Sequence, residues 1–267
     1  MKDIRNRIAE IKTQGYSMAF GPTFDRTLAV YKSIAMPGGV AFLLFGMLYL
    51  IMMSLTTSST IDMGRITPDM DFQQMMNEIR FQLENQTLQQ KITDAASRIV
   101  MGVLSVPLMA GLIRLCRDAE SGQGANLGTV FQYFKGHYFS DLFVAGLLIN
   151  LFTFALGLGA EYMLEISVAA AAALMVLTVA VSVLTTLFVP FIVLGDLPPL
   201  EAIGASITVV GKKFGTIFLL LLTSGIMALF GLLACCVGVV FTLPIIAACQ
   251  YAVYAQSVGV TNTHGPG

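Results

Sequence analysis

Six stretches of predominantly apolar residues alternate with short polar segments along this chain, at about 38–56, 97–116, 140–160, 166–190, 214–233 and 238–257. A helix of about 20 apolar residues crosses the hydrocarbon core of a bilayer, so each stretch predicts a membrane-spanning helix. The fifth and sixth are nearly continuous. The break between them is placed near Cys235-Cys236-Val237-Gly238, since a single helix of roughly forty residues would be twice the span required.

Shorter helical patterns surround these runs. Phe24, Leu28 and Tyr31 precede Lys32; Leu127, Val130, Phe131 and Phe134 precede Lys135; Leu200, Ile203, Ile207 and Val210 precede Lys212 and Lys213. Each set follows the i, i+3, i+4, i+7 spacing of one helix face. Pro198-Pro199 ahead of the third suits a helix start. An apolar stripe with a basic end fits a helix lying in the headgroup layer, and it equally fits a capping helix packed on the bundle. In the long segment 57–96, Phe72, Met75, Met76, Ile79 and Leu83 share one face. With Thr67-Pro68-Asp69 as cap and first turn, they predict a helix over 69–84. Its Met-rich face suits a partner protein or the outer leaflet, with packing on its own bundle as the plainer use.

A short phrase recurs inside the apolar runs: Ser105-Val106-Pro107-Leu108-Met109-Ala110, Phe188-Val189-Pro190-Phe191-Ile192-Val193, and Thr242-Leu243-Pro244-Ile245-Ile246-Ala247. Each copy lies in the second run of a pair, which predicts three related hairpins. Proline removes a backbone donor and opens or kinks a helix. Kinks at Pro107, Pro190 and Pro244 would either shape a cavity or serve packing, and the second use is favoured because the three do not fall at one depth.

Composition agrees with the pattern. Apolar residues make up 56% and charged residues 12% of the chain, where a soluble domain carries roughly 25% charged. The net charge of −1 gives no basic footprint for nucleic acid. Of the fifteen Lys and Arg, eleven fall on the side of the N-terminus and the second and fourth loops, and only Arg65, Arg80, Lys91 and Arg98 on the other. By the positive-inside rule both termini are expected to be cytoplasmic. The first apolar run begins after some 35 mostly polar residues, unlike a cleaved secretory signal, so the first helix is expected to remain as a span.

Candidate chemistry is sparse. Arg117, Asp118 and Glu120 cluster at a helix end and read as a solvated charged turn. The glycine-rich segment from Gly122 to Gly128 has neither the preceding strand nor the Lys-Ser/Thr of a phosphate loop. Cys116, Cys235, Cys236 and Cys249 lack metal-site spacing and read as small hydrophobes. No Lys, Arg, Asp or Glu falls mid-span, which disfavours proton- or ion-coupled transport. Asn150 and Gln250 are the costliest neutral polar residues there and the best cavity candidates, although packing between helices is the commoner role. Ala169 to Ala173, with Gly157, Gly159, Gly225 and Gly231, supply points of close helix approach within the bundle or in a homodimer.

The stretch from Phe188 to Asp196, then Pro199, Leu200, Glu201, Ala202, Ser206, Lys212 and Lys213, resembles the YciC-like bacterial membrane proteins and the membrane domain fused to some glycerophosphodiester phosphodiesterases. The likeness extends over roughly residues 20–257 and implies six spans in a bacterial inner membrane, with no agreed activity; the phosphodiesterase domain itself has no counterpart here. The opening from Ile8 to Lys32 is similar to Bacteroidota-type membrane proteins often labelled carotene oxygenases. Those dioxygenases hold iron with four histidines, whereas this chain has two, His137 and His264, and the label is rejected.

The expected fold is all-α: one polytopic membrane domain over 1–267, six spans as three pseudo-repeated hairpins, with in-plane amphipathic helices on the cytoplasmic side. N-terminal helices occupy 1–37, an outer loop 57–96 and a tail 258–267. The expected function is non-enzymatic: organising lipids or partner proteins in the inner membrane, or alternatively carrying or binding a small, largely apolar molecule. Candidate cavity or kink residues are Pro107, Pro190, Pro244, Asn150 and Gln250; the candidate partner face is Phe72, Met75, Met76, Ile79 and Leu83. Lipids, protein partners or a second copy are the expected partners; no cofactor, metal or nucleic acid is.

Overall fold

The computed structural model describes residues 2–57, 62–67, 70–124, 126–231 and 237–259. Every regular element among them is helical. Five helices are long and apolar enough to cross a membrane, and up to six if one sharply bent pair counts as a single span. The chain is a membrane-embedded, all-helical protein.

Helix α1 spans Lys2–Gln14, and α2 runs without a break over Phe20–Thr57. The pattern at Phe24, Leu28 and Tyr31 therefore does not form a separate helix: it is the first part of α2, which continues through Lys32 and Pro37. Helix α3 covers Phe72–Glu84 and α4 Leu88–Glu120. The short α5, Leu127–Phe131, passes into a 3-10 turn at Gln132–Phe134. Helix α6, His137–Leu164, packs along α7, Val168–Leu184. Ser167 caps α7, accepting from the Ala170 N–H. After a break come α8, Phe188–Val193, then α9, Pro199–Lys212. Helix α10, Phe214–Phe230, leaves α9 at 99°. Two further helices, α11 at Val237–Thr242 and α12 at Pro244–Ser257, close the described chain.

Burial follows the proline phrases. The stretches centred on α4, α7–α8 and α11–α12 are 61%, 44% and 56% buried, against 22% for α2 and 17% for α6. Residues after each proline are almost wholly inside: Leu112, Ile113 and Leu115; Phe191 and Ile192; Ala247, Ala248, Tyr251 and Tyr254. Large apolar side chains on α2, α6, α7 and α10 point outward, among them Leu50, Phe152, Val176 and Leu229. An outward apolar surface of that extent belongs against hydrocarbon rather than water.

The chain divides into two compact units: residues 1–43 with 103–267, and residues 44–102. In the second, Asp71 caps α3 by accepting from the Gln74 N–H, while Gln74 accepts from the Asp71 N–H, a reciprocal capping box. The sequence reading placed the cap at Thr67-Pro68-Asp69; Pro68 and Asp69 lie outside the described residues, as do the Cys235-Cys236 turn, His264 and the tail from residue 260.

Candidate functional site

The most organised polar feature lies where the fourth span is broken. Residues 185–187 interrupt the helix between α7 and α8. Pro190 has no N–H to give the carbonyl four residues earlier, so the helix cannot run through regularly. At this turn the Phe188 N–H goes to the Thr185 carbonyl, which leaves the Leu184 carbonyl and the Leu187 N–H without helical partners, and in hydrocarbon such groups need others. Ser206 of α9 supplies them: its hydroxyl donates to the Leu184 carbonyl at 2.7 Å and accepts the Leu187 N–H at 3.0 Å. Gln250 of α12 reaches the same break, its Nε2 donating to Thr186 Oγ1 at 3.1 Å. One break is thus held from two other helices.

A second break precedes Pro244. There Tyr31 of α2 donates to the Phe241 carbonyl at 3.2 Å, and the Thr242 hydroxyl donates to the Ala228 carbonyl of α10 at 2.7 Å. Gly38 and Gly39 let α2 close on this site. A Cβ at Gly38 would lie 2.9 Å from Pro244 Cγ, and one at Gly39 would run into the Phe241 ring. The third copy of the phrase differs. Pro107 lies within an uninterrupted α4, so of the three expected kinks two are breaks and one is not.

Three side chains meet from near the start of α2, the end of α4 and the middle of α12. The Arg26 guanidinium makes a two-pronged contact with Glu120, Nε to Oε1 at 2.8 Å and Nη2 to Oε2 at 2.7 Å. Tyr251, 1% exposed, donates its hydroxyl to Glu120 Oε2 at 2.6 Å. Arg26 also stands 5.8 Å above the Tyr251 ring centre, within cation–π range. Nearby in sequence, Arg114 pairs with Asp118 at 3.1 Å, both side chains mostly covered. The Arg117–Asp118–Glu120 cluster is therefore not a free solvated turn. The spacing gave no hint of this, because Arg26 and Tyr251 lie 94 and 131 residues away from Glu120.

Around α9 further contacts gather. Arg5 of α1 pairs with Glu201 at 2.8 Å, and Tyr16 donates to the Val209 carbonyl at 3.2 Å. Burial raises the Tyr16 hydroxyl above the ordinary tyrosine range, which keeps it a donor. Tyr138 of α6 donates to Asp196 at 3.1 Å, and Asp196 holds a positive φ of 53° in the turn after α8, a conformation that Asp tolerates better than most residues.

Beside the broken span, α6, α7 and α9 enclose a half-open groove of about 300 Å³. Phe152, Leu184 and Ile203 are among its walls, and Thr185 is the sole polar lining residue. None of the five cavity candidates lines it. Pro107, Pro190 and Pro244 are buried in packing. Asn150 turns back to donate to the Gly146 carbonyl of its own helix at 2.8 Å. Gln250 serves the α7–α8 break; its Oε1 and the Ser224 hydroxyl are buried without a hydrogen-bond partner among the described residues.

The glycines expected to bring helices together divide. A Cβ at Gly231 would strike Thr242 and one at Gly159 would touch Leu174, but Gly157 and Gly225 face open space. Further close contacts that the sequence reading missed lie at Gly38, Gly39, Gly111 and Gly146. On α3, Phe72 and Met76 are exposed while Met75 and Ile79 are half-buried. The side chain of Leu83 is outside the described set. Among the described residues, no group of three or more His, Cys, Asp or Glu is placed to hold a metal ion.

Compared with known proteins, the chain matches no family model, no curated protein and no solved structure.

Proposed function

We propose that this chain is a non-enzymatic integral membrane protein that organises lipids or partner proteins in a bacterial inner membrane. Six spans are arranged as three related hairpins, with both termini cytoplasmic, in the manner of the YciC-like group. The observation that carries this reading is α9. It turns 99° from α10, buries Ala202, Ala205, Ser206, Val209 and Val210, and leaves Leu200 and Ile207 exposed. Such a helix, with Lys212 and Lys213 at its end, has the form of one lying along the membrane face. A second reading, a binder or carrier of a small, largely apolar molecule, has the groove of about 300 Å³ in its favour.

Native mass spectrometry of the protein taken from its host membrane in lipid nanodiscs separates the readings. Protein subunits or lipids retained at fixed stoichiometry support the first. A retained non-lipid molecule would replace it with the second, and bare protein would overturn both.

A further inference from the structure

We propose that the groove between α6, α7 and α9 seats one acyl chain of an anionic phospholipid, with its headgroup met by Lys212 and Lys213. The groove is small: about 300 Å³ stands at the bottom of the range of roughly 300–1,000 Å³ typical of ligand pockets. That suits a single chain better than a whole lipid. Its walls are aliphatic and aromatic apart from Thr185, so nothing there rewards a polar ligand. Two of the walls, α6 and α7, are spans whose outer faces are apolar, with Phe152 54% exposed at the groove. The groove therefore opens on the surface that hydrocarbon covers.

The third wall supplies the charge. Leu200, Ile203 and Ile207 fall at i, i+3 and i+7 on α9, and Gly211 continues the same stripe at i+11. A Cβ at Gly211 would lie 4.0 Å from Cδ2 of Leu184, itself a groove residue. The apolar stripe thus ends directly before Lys212 and Lys213. Neither lysine is in an ion pair among the described residues, and Lys212 is exposed. Ile207 and Lys212 are five residues apart, about 8 Å along a helix rising roughly 1.5 Å per residue. With α9 along the membrane face that offset is lateral; the α6 and α7 walls run into the hydrocarbon, while the long lysine side chains reach phosphate at headgroup depth. A basic residue near an anionic surface contributes attraction worth about fivefold in binding.

This inference rests on the lipid-organising reading, and the two fail separately: the host extraction tests what the protein carries, whereas labelling tests where a lipid sits. The test uses the full chain in phosphatidylcholine nanodiscs doped with phosphatidylglycerol or phosphatidylcholine bearing a diazirine on one acyl chain. Irradiation should label the peptides holding Leu148–Phe152 and Leu200–Ile207 more than the outward face of α10 at Leu219 and Leu229. The phosphatidylglycerol probe should label them several-fold more than the phosphatidylcholine probe. Ile203→Trp, filling the groove, should remove that labelling and leave α10 labelling unchanged. Leu200→Trp, at a position 72% exposed, should lower it by obstructing the mouth without disturbing the core. Lys212→Gln with Lys213→Gln should abolish the headgroup preference while phosphatidylcholine labelling persists. Groove labelling no stronger than at α10, or equal for both headgroups in the unmodified protein, overturns the proposal.

Discussion

Tyr251 donates its hydroxyl to Glu120 Oε2 at 2.6 Å, joining α12 to the end of α4 from a position 1% exposed. The Arg26 guanidinium grips the same carboxylate from the wetter side, where Arg26 and Glu120 remain 29% and 33% exposed. The two bonds to one carboxylate thus differ in how much water competes with them, and the difference has a measurable consequence.

Tyr251→Phe should cost about 1.5 kcal/mol, the lower end for a hydrogen bond to a charged group. Arg26→Gln should cost under about 1 kcal/mol, because partly exposed ion pairs contribute little. Reversible unfolding in mixed micelles gives both values. The opposite order would show that the ion pair, not the buried hydroxyl, ties these helices.

Ser206→Ala leaves the Leu184 carbonyl and the Leu187 N–H at the α7–α8 break without their partner. Unsatisfied buried polar groups cost about 1–3 kcal/mol each, so the variant should lose at least about 2 kcal/mol. Ser182→Ala is the comparison: Ser182 is exposed and its hydroxyl donates to the Thr178 carbonyl of its own helix. Its change should stay within about 0.5 kcal/mol. Equal effects in thermal unfolding would mean that the break needs no stitch.

Gly111→Ala would push a Cβ into the Val130 carbonyl, which is backbone and cannot rotate aside. We expect a loss of about 1–3 kcal/mol or more. Gly157→Ala, facing open space, should be neutral or gain up to about 1 kcal/mol from helix propensity. A large loss at Gly157 would instead reveal a second copy packed on α6, and crosslinking of that variant against the unmodified protein would show it.

The charge asymmetry gives a topological expectation. Ser121 lies in the turn after α4, and Glu165 in the turn between α6 and α7. In a variant lacking native cysteines, Ser121→Cys should react with an impermeant maleimide only in inverted vesicles, and Glu165→Cys only in intact cells. The reverse pattern would turn the whole assignment over.

How far the sequence led depends on the range of the interaction. The spans at α4, α6 and α7–α8 were legible because crossing hydrocarbon imposes a length and a composition that local residues satisfy alone. Pro190 and Pro244 were legible as interruptions for the same reason: a missing N–H is a property of one residue. Where a helix continues was harder. Nothing in Phe24, Leu28 and Tyr31 distinguishes a separate helix from the first turns of α2, since both present the same stripe. Nor did the phrase around Pro107 differ enough from its counterparts to signal an unbroken helix.

The sequence by itself determined that this is a helical membrane protein, roughly where its helices run, and where proline could disrupt them, but not that α4 would continue through Pro107. Only the tertiary structure decided which groups meet at each disruption: Ser206 and Gln250 reach one break, Tyr31 reaches the other, where Thr242 in turn reaches the Ala228 carbonyl of α10, and Glu120 is drawn to Arg26 and Tyr251. It also moved the apolar cavity away from the prolines to the α6–α7–α9 groove. The physical reason is one of range. Hydrophobic length and backbone chemistry are written in contiguous residues, but a freed carbonyl in hydrocarbon takes whichever donor the packing brings near, and that donor can lie anywhere in the chain.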